Sequence, residues 1–175
     1  MGSCKIEYEP FGVALVLSAW NYPIYTAIPQ VATAIAAGNC VIVKPSELAP
    51  HTSGIIKKLF DIYMDPDYYQ CIEGRVEVAK AVTRLPVDVI CFTGSTMTGR
   101  LVAIEAAKNL VPCILELGGK CPVIVDETAS IQPAVNRILS GKFLNCGQTC
   151  IGVDHIYIHE SQKVQFKELL MAKLD

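Results

Sequence analysis

Apolar positions along the chain fall into two alternating patterns. Short apolar or β-branched runs occupy residues 13–19, 40–43, 68–72, 87–92, 113–117, 123–125 and 155–159. Between them apolar residues recur at helical spacing, as in Ala27, Val31, Ala34 and Ile35, in Ile55, Leu59 and Ile62, and in Leu101, Ile104 and Ala107. Runs bounded by turn residues predict buried strands, and the wider spacing predicts helices over 27–37, 51–63, 76–83, 101–107, 132–143 and 162–174. Local punctuation agrees. Asn21-Tyr22-Pro23 closes the first run, Gly38-Asn39 is a helix stop, and Lys44-Pro45 ends the second strand. Strand alternating with helix predicts an α/β fold whose parallel sheet has right-handed crossovers and helices on both faces. No internal repeat or linker-like stretch interrupts it.

Composition narrows the class. Apolar residues make up 51% of the chain and charged ones 18%, with a mean hydropathy of +0.37. A chain so apolar can offset its ordering entropy, which excludes disorder. It also exceeds what an ordinary free-standing domain of 175 residues needs, and predicts self-association. Fifteen basic against seventeen acidic residues give a net charge of −2, so no nucleic-acid partner is expected. No run reaches the ~18 uninterrupted apolar residues of a membrane span.

Eight cysteines are present, and Cys40, Cys91 and Cys113 lie inside apolar runs as small buried hydrophobes. The opening MGSCKIEYEP has no apolar core of a signal peptide, and Ile6 stands where an acylation signal needs Ser or Thr. A reducing, cytoplasmic setting is the expectation.

Candidate chemistry sits at the ends of the predicted strands. No G-x-G-x-x-G is present. Phe92-Thr93-Gly94-Ser95 instead leads into a helix, and Gly94 and Gly99 share P-loop spacing, but Arg100 and Leu101 replace the Lys and Ser/Thr that hold phosphate and magnesium. The segment therefore reads either as an anion-facing helix start or as a plain capped one. Cys150, in a polar Gly-containing loop, is either an exposed nucleophile or an inert thiol. Pairing with Cys146 at C-x₃-C lacks the second ligand pair of a metal site, so no metal is expected. His155 and His159 fall on one face of a strand, and no Cys–His dyad stands out. Glu116, between two leucines, is either a general base whose pKa burial would raise or a carboxylate facing solvent or Lys120. Asn21 is either an oxyanion donor or an ordinary turn residue.

Taken in order and spacing, Trp20–Pro23, Lys44-Pro45-Ser46-Glu47, Phe92–Ser95, Leu115–Lys120 and Gly147–Cys150 closely resemble the aldehyde dehydrogenase superfamily. Trp-Asn-Tyr-Pro and Gly141-Lys142-Phe143 look most like its class 3, fatty- or aromatic-aldehyde branch. The resemblance implies a Rossmann-like, doubly wound NAD(P)-binding domain over 1–117 and an incomplete, nucleophile-bearing first part of the catalytic domain over 118–175. It implies Cys150 as nucleophile, Glu116 as base, and Asn21 with the Cys150 backbone N–H as oxyanion hole. Lys44 and Glu47 would meet the adenosine ribose, while Gly94, Ser95 and Gly99 lie at the pyrophosphate-side turn, with Trp20 and Leu117 along the cofactor path. The Glu47 carboxylate favours NAD, with NADP as the alternative.

The resemblance also implies that a leading helical segment, the Glu-x-Phe-Gly-Pro ribose contact and the oligomerisation strand of a homo-oligomer are absent from this sequence. Cys121 departs from the family by standing where Ser is commoner. The leading expectation is aldehyde oxidation through a thiohemiacetal and thioester. The alternatives are a remnant that binds nucleotide or associates with longer relatives, and a redox-sensing thiol protein using Cys146 and Cys150.

Overall fold

The computed structural model describes residues 2–174, and the chain divides into two compact units, Met1–Leu117 and Gly118–Asp175. In the first, strands β1 (Val13–Leu17), β2 (Cys40–Lys44), β3 (Tyr69–Cys71), β4 (Val89–Thr93) and β5 (Cys113–Glu116) alternate with helices α1 (Ile28–Ala36), α2 (Pro50–Tyr63), α3 (Val76–Thr83) and α4 (Thr96–Ala107). The sheet runs β3-β2-β1-β4-β5 with every pair parallel. This is the α/β architecture expected of near-continuous apolar strands.

Each sheet face has its own core. Leu15, Leu17, Ile90 and Phe92 pack with Val82, Val102 and Ala106 from α3 and α4. Val16, Val41, Val43 and Cys71 point the other way, against Val31 of α1 and Ile56 and Phe60 of α2. Chain punctuation is physical as well as statistical. After α1, Gly38 adopts φ +86. Its N–H donates to the Ile35 carbonyl at 2.8 Å and that of Asn39 to Ala34 at 3.0 Å, the paired bonds of a Schellman stop. The buried Asn39 side chain then accepts from Gly12 N–H at 3.0 Å, tying the helix end to the start of β1.

The second unit holds β6 (Cys121–Val125), α5 (Ile131–Phe143), a 3₁₀ turn over Leu144–Gly147, β7 (Val153–Ile158) and α6 (Glu160–Met171). Its two strands pair in parallel, with an irregularity between Cys121 and Pro122. Val125, Ile131, Val135, Ile138 and Phe166 form its core. His155 lies in β7, but His159 falls beyond it and caps α6, its Nδ1 accepting from Ser161 N–H at 3.4 Å. The two histidines therefore do not share a strand face. Among the described residues no helix is long and apolar enough to cross a membrane.

Candidate active site

Strand order places most of the candidate residues. From β1 the chain moves to β2 on one side, while β4 lies on the other, so the order reverses between β1 and β4. In open parallel sheets ligands bind outside the carboxyl ends of the strands at such a reversal. Trp20 and Asn21 follow β1, Lys44 ends β2 with Glu47 just beyond, Gly94 and Ser95 follow β4, and Glu116 and Leu117 close β5.

The segment after β1 is tied down by one hydroxyl. Thr26 Oγ1 accepts from Ala19 N–H at 3.0 Å and lies 3.0 Å from the Tyr22 carbonyl, which holds the turn carrying Trp20 and Asn21. Trp20 is exposed and Asn21 half-buried. At the end of β2, Lys44 is only 4% exposed, unusual for a lysine. Its ammonium is satisfied by the Pro45 carbonyl at 2.9 Å and the Glu47 carboxylate at 3.0 Å. Partial burial works to raise the Glu47 pKa. A backbone hydrogen bond, the bond and charge of Lys44, and the charge of Arg75 outweigh it and hold the carboxyl below its ordinary value.

Ser95 caps α4, its Oγ accepting from Thr98 N–H at 3.1 Å. Gly94 has no left-handed backbone. Its missing side chain matters because a Cβ there would lie 2.5 Å from the Phe92 ring, and one on Gly99 would lie 2.6 Å from Leu117 Cδ2. Gly94, Gly99 and Leu117 thus converge around Phe92 through packing. Gly94 N–H also donates to the Glu116 carbonyl at 3.0 Å.

Glu116 is exposed, which agrees with the solvent-facing reading and not with the buried one. The reason is in the layers. Thr93 and Glu116 are register partners on the α1 face, but that face is uncovered over β4 and β5, leaving a groove of about 390 Å³ bordered by Gln30, Thr33, Cys91, Ile114 and Glu116. Lys120 lies 3.6 Å from Asp154. Cys40, Cys91 and Cys113 are likewise only half-buried. Partial burial still pushes the Cys91 and Cys113 thiols up, that of Cys91 with help from Cys113.

Two polar groups here escaped the sequence. Gln30 Nε2 donates to Thr93 Oγ1 at 3.1 Å across the β1–β4 reversal, leaving its Oε1 buried without a partner, and Ser18 Oγ is buried and unpartnered too. Nothing in their spacing marks them, because only the strand order brings them to the crevice.

Cys150 belongs to the second unit. Ahead of it Asn145, Cys146 and Gly147 take φ of 52, 57 and 77, three left-handed residues in succession, two of them with side chains that resist it. Hydrogen bonds from Gln148 N–H to Asn145 and from Gly152 N–H to Thr149, both 3.1 Å, fold the following turn. Cys146 and Cys150 are exposed. A Cβ on Gly119 would lie 2.7 Å from the Cys150 carbonyl oxygen, so this approach requires glycine. Asn21 and Glu116 lie in one unit and Cys150 in the other.

A family model described as the aldehyde dehydrogenase family matches residues 2–175. The 4,4'-diaponeurosporen-aldehyde dehydrogenase of Staphylococcus aureus is 48% identical over 158 residues, covering 90% of this chain and 34% of that protein. The rat aldehyde dehydrogenase family 3 member A2 is 43% identical over 165 residues, covering 94% of this chain and 34% of its own. A substrate-bound Staphylococcus aureus AldH structure superposes with a TM-score of 0.91 at 45% identity, over 95% of this chain and 36% of that one. A Mycobacterium tuberculosis aldehyde dehydrogenase complexed with NAD+ gives a TM-score of 0.87 at 31% identity, over 94% of this chain and 34% of the other. The chain spans about a third of the length of these relatives.

Proposed function

The chain belongs to the aldehyde dehydrogenase family, and from that premise we propose that it carries the nucleotide-binding and thiol-bearing portions of an NAD(P)-dependent oxidation of an aldehyde to a carboxylic acid. The observation that carries this reading is the gathering of Asn21, Lys44, Glu47, Gly94, Ser95 and Glu116 at the carboxyl ends of one parallel sheet. The first unit is the nucleotide-binding part, and the second presents the thiol.

The residues fit a dinucleotide. Lys44 and Glu47 offer a donor and an acceptor suited to ribose hydroxyls, and the carboxylate disfavours a 2′-phosphate, which makes NAD the first choice and NADP the alternative. Trp20 and Leu117 supply apolar surface, and Ser95 with Gly99 opens a helix toward an anion. The unpartnered Ser18 Oγ and Gln30 Oε1 are further groups that a polar ligand would satisfy. When bound, the nicotinamide supplies the acceptor for the two electrons lost by the aldehyde carbon.

Everything else falls to the chain. Cys150, exposed, attacks the carbonyl carbon as thiolate and gives a thiohemiacetal. The Asn21 amide and the Cys150 backbone N–H donate to the oxyanion. After oxidation leaves a thioester, Glu116 takes a proton from water, which attacks the acyl carbon and frees Cys150. Solvent exposure keeps the Glu116 carboxylate accessible to that water. Eight unpaired thiols suit a reducing compartment such as the cytoplasm.

A second reading is nucleotide binding without turnover, since the nucleotide-facing residues lie in one unit and Cys150 in the other. One experiment separates the two. Calorimetry with NAD and aldehyde-dependent NADH formation should both be positive, with Cys150→Ala abolishing turnover and retaining binding. Binding alone supports the second reading. Turnover that survives Cys150→Ala overturns the mechanism, and no binding overturns both.

A further inference from the structure

The thiols of the second unit point beyond acyl chemistry. Cys121 opens β6, and Cys150 stands three positions before Val153, the register partner of Cys121. Parallel pairing therefore brings the approach to β7 alongside the start of β6. Cys121 Sγ lies 3.4 Å from the carbonyl oxygen of Cys150. The neighbouring backbone at Gly119 comes so close that a Cβ would sit 2.7 Å from that same oxygen and 3.2 Å from the Cys121 sulfur. The closeness is thus a product of strand pairing and a glycine.

Exposure divides the two sulfurs into different roles. Cys150 is exposed and meets a solvent oxidant first, whereas Cys121 is partly shielded and adjacent. We propose that Cys121 and Cys150 form a reversible disulfide, with Cys150 oxidised first by a hydroperoxide and Cys121 as the resolving thiol. In the first step Cys150 thiolate attacks a peroxide oxygen. An S–O bond forms, the O–O bond breaks, and hydroxide leaves to be protonated to water, giving a sulfenic acid. Cys121 thiolate then attacks the Cys150 sulfur. The S–S bond forms, the S–O bond breaks, and a second hydroxide leaves as water. Two thiols and one hydrogen peroxide thus yield one disulfide and two waters, and a small-molecule thiol reverses the change by exchange.

Cys146 is the competing partner and is placed worse. It is held at φ 57 in the left-handed turn. A bond to Cys150 would close a ring around residues 147–149, whose turn carries the Gln148-to-Asn145 hydrogen bond of 3.1 Å. A bond to Cys121 joins segments that already touch. The proposal goes beyond the dehydrogenase reading and stands without it. On that reading, the disulfide would withdraw the nucleophile and shield it from irreversible oxidation.

The test uses the reduced full chain and hydrogen peroxide at one equivalent, followed by intact mass and non-reducing peptide mapping. The expected product has lost two hydrogens and carries a Cys121–Cys150 cross-link that dithiothreitol removes. Under excess hydrogen peroxide, where a second equivalent oxidises the sulfenic acid further, Cys121→Ser should accumulate sulfinic acid on Cys150 several-fold faster than the parent chain. At one equivalent Cys146→Ser should still form the link. A Cys146–Cys150 link, a sulfinic Cys150 in the parent chain without any link, or a Cys150 that stays reduced would each overturn the proposal. Circular dichroism of both variants checks that they remain folded.

Discussion

The two units cover their sheets differently. In the first, five parallel strands carry a core on each face, one under α3 and α4 and one under α1 and α2. In the second, two parallel strands pack on α5 and α6 through one core, while Ile124 and Tyr157 on the opposite face stay 77% and 62% exposed. Parallel strands are ordinarily buried on both sides. The first unit therefore has a core on each sheet face, and the second leaves Ile124 and Tyr157 exposed on one of its faces. Even in the first, cover is incomplete where the groove opens above β4 and β5. Those two places take part of the chain's apolar excess, and exposed side chains such as Leu48, Tyr63 and Leu110 on the helices and turns carry more of it.

The largest effect that would sharpen this contrast comes from the centre of the first unit. Leu15 is fully buried, and Leu15→Ala should cost about 3 kcal/mol. Urea unfolding followed by hydrogen exchange should show protection falling across β1, β2 and β4 while α5 and α6 keep theirs. Equal loss in both units would break the contrast. Next in size, Gly94→Ala drives a Cβ into the buried Phe92 ring and should cost about 2 kcal/mol. Phe92→Leu in the same chain should recover part of that in thermal melts.

Titration gives a smaller, signed effect. Burial, followed by the charge of Glu73, pushes the Cys71 thiol from an ordinary 9.0 up to about 12. A raised folded value means the contribution is fully present below the unfolded value and fades as pH climbs from about 9 toward 12. Stability of the first unit should fall over that range, and Cys71→Val should flatten the fall. Glu47 runs the other way. Its folded value is depressed, so its contribution is present above the unfolded value and is lost as pH drops through the folded one. Glu47→Gln should flatten the acid limb. Smallest for folding is Ile124→Lys, an exposed change expected to alter stability by no more than ~0.5 kcal/mol. It should nonetheless reduce self-association in light scattering. A parent chain that is monodisperse at micromolar concentration would count against the uncovered face as an associating surface.

What was legible in the sequence follows from the same contrast. Strands β1, β2 and β4 announce themselves because burial on both faces demands continuous apolar runs, and the Schellman stop at Gly38-Asn39 is a local signal. Half-buried Ser18 and buried Ala19 extend the first run past the ladder, where Thr26 holds the Ala19 N–H, a contact that spacing does not encode. The sequence left the exposure of Glu116 open between two readings for a different reason. Its position between two leucines does not say which sheet face it takes, and only the layer arrangement reveals that Glu116 lies on the α1 side, where the groove opens over β5. Similarly, the left-handed pair Asn145 and Cys146 leaves no periodic trace, since periodicity reports side-chain direction and is silent on the sign of φ. Cys150, Asn21 and Glu116 are proposed from motifs that stand in the sequence. Gln30, tied to Thr93 from a helix 63 positions away in sequence, had no motif to betray it.

Strand order has a consequence during synthesis. β1 ends in the middle of the sheet, yet it is made first, and its second neighbour, β4, begins only at Val89. A nascent chain that has paired β1, β2 and β3 carries an open β1 edge until Val89 is added, 18 residues after Cys71. Synthesis at roughly 5–20 residues per second keeps that edge bare for seconds. An early half-sheet with a bare central strand can capture the same strand from a neighbouring chain on a polysome. The order in which this sheet is completed therefore makes chaperone cover most valuable before β4 emerges.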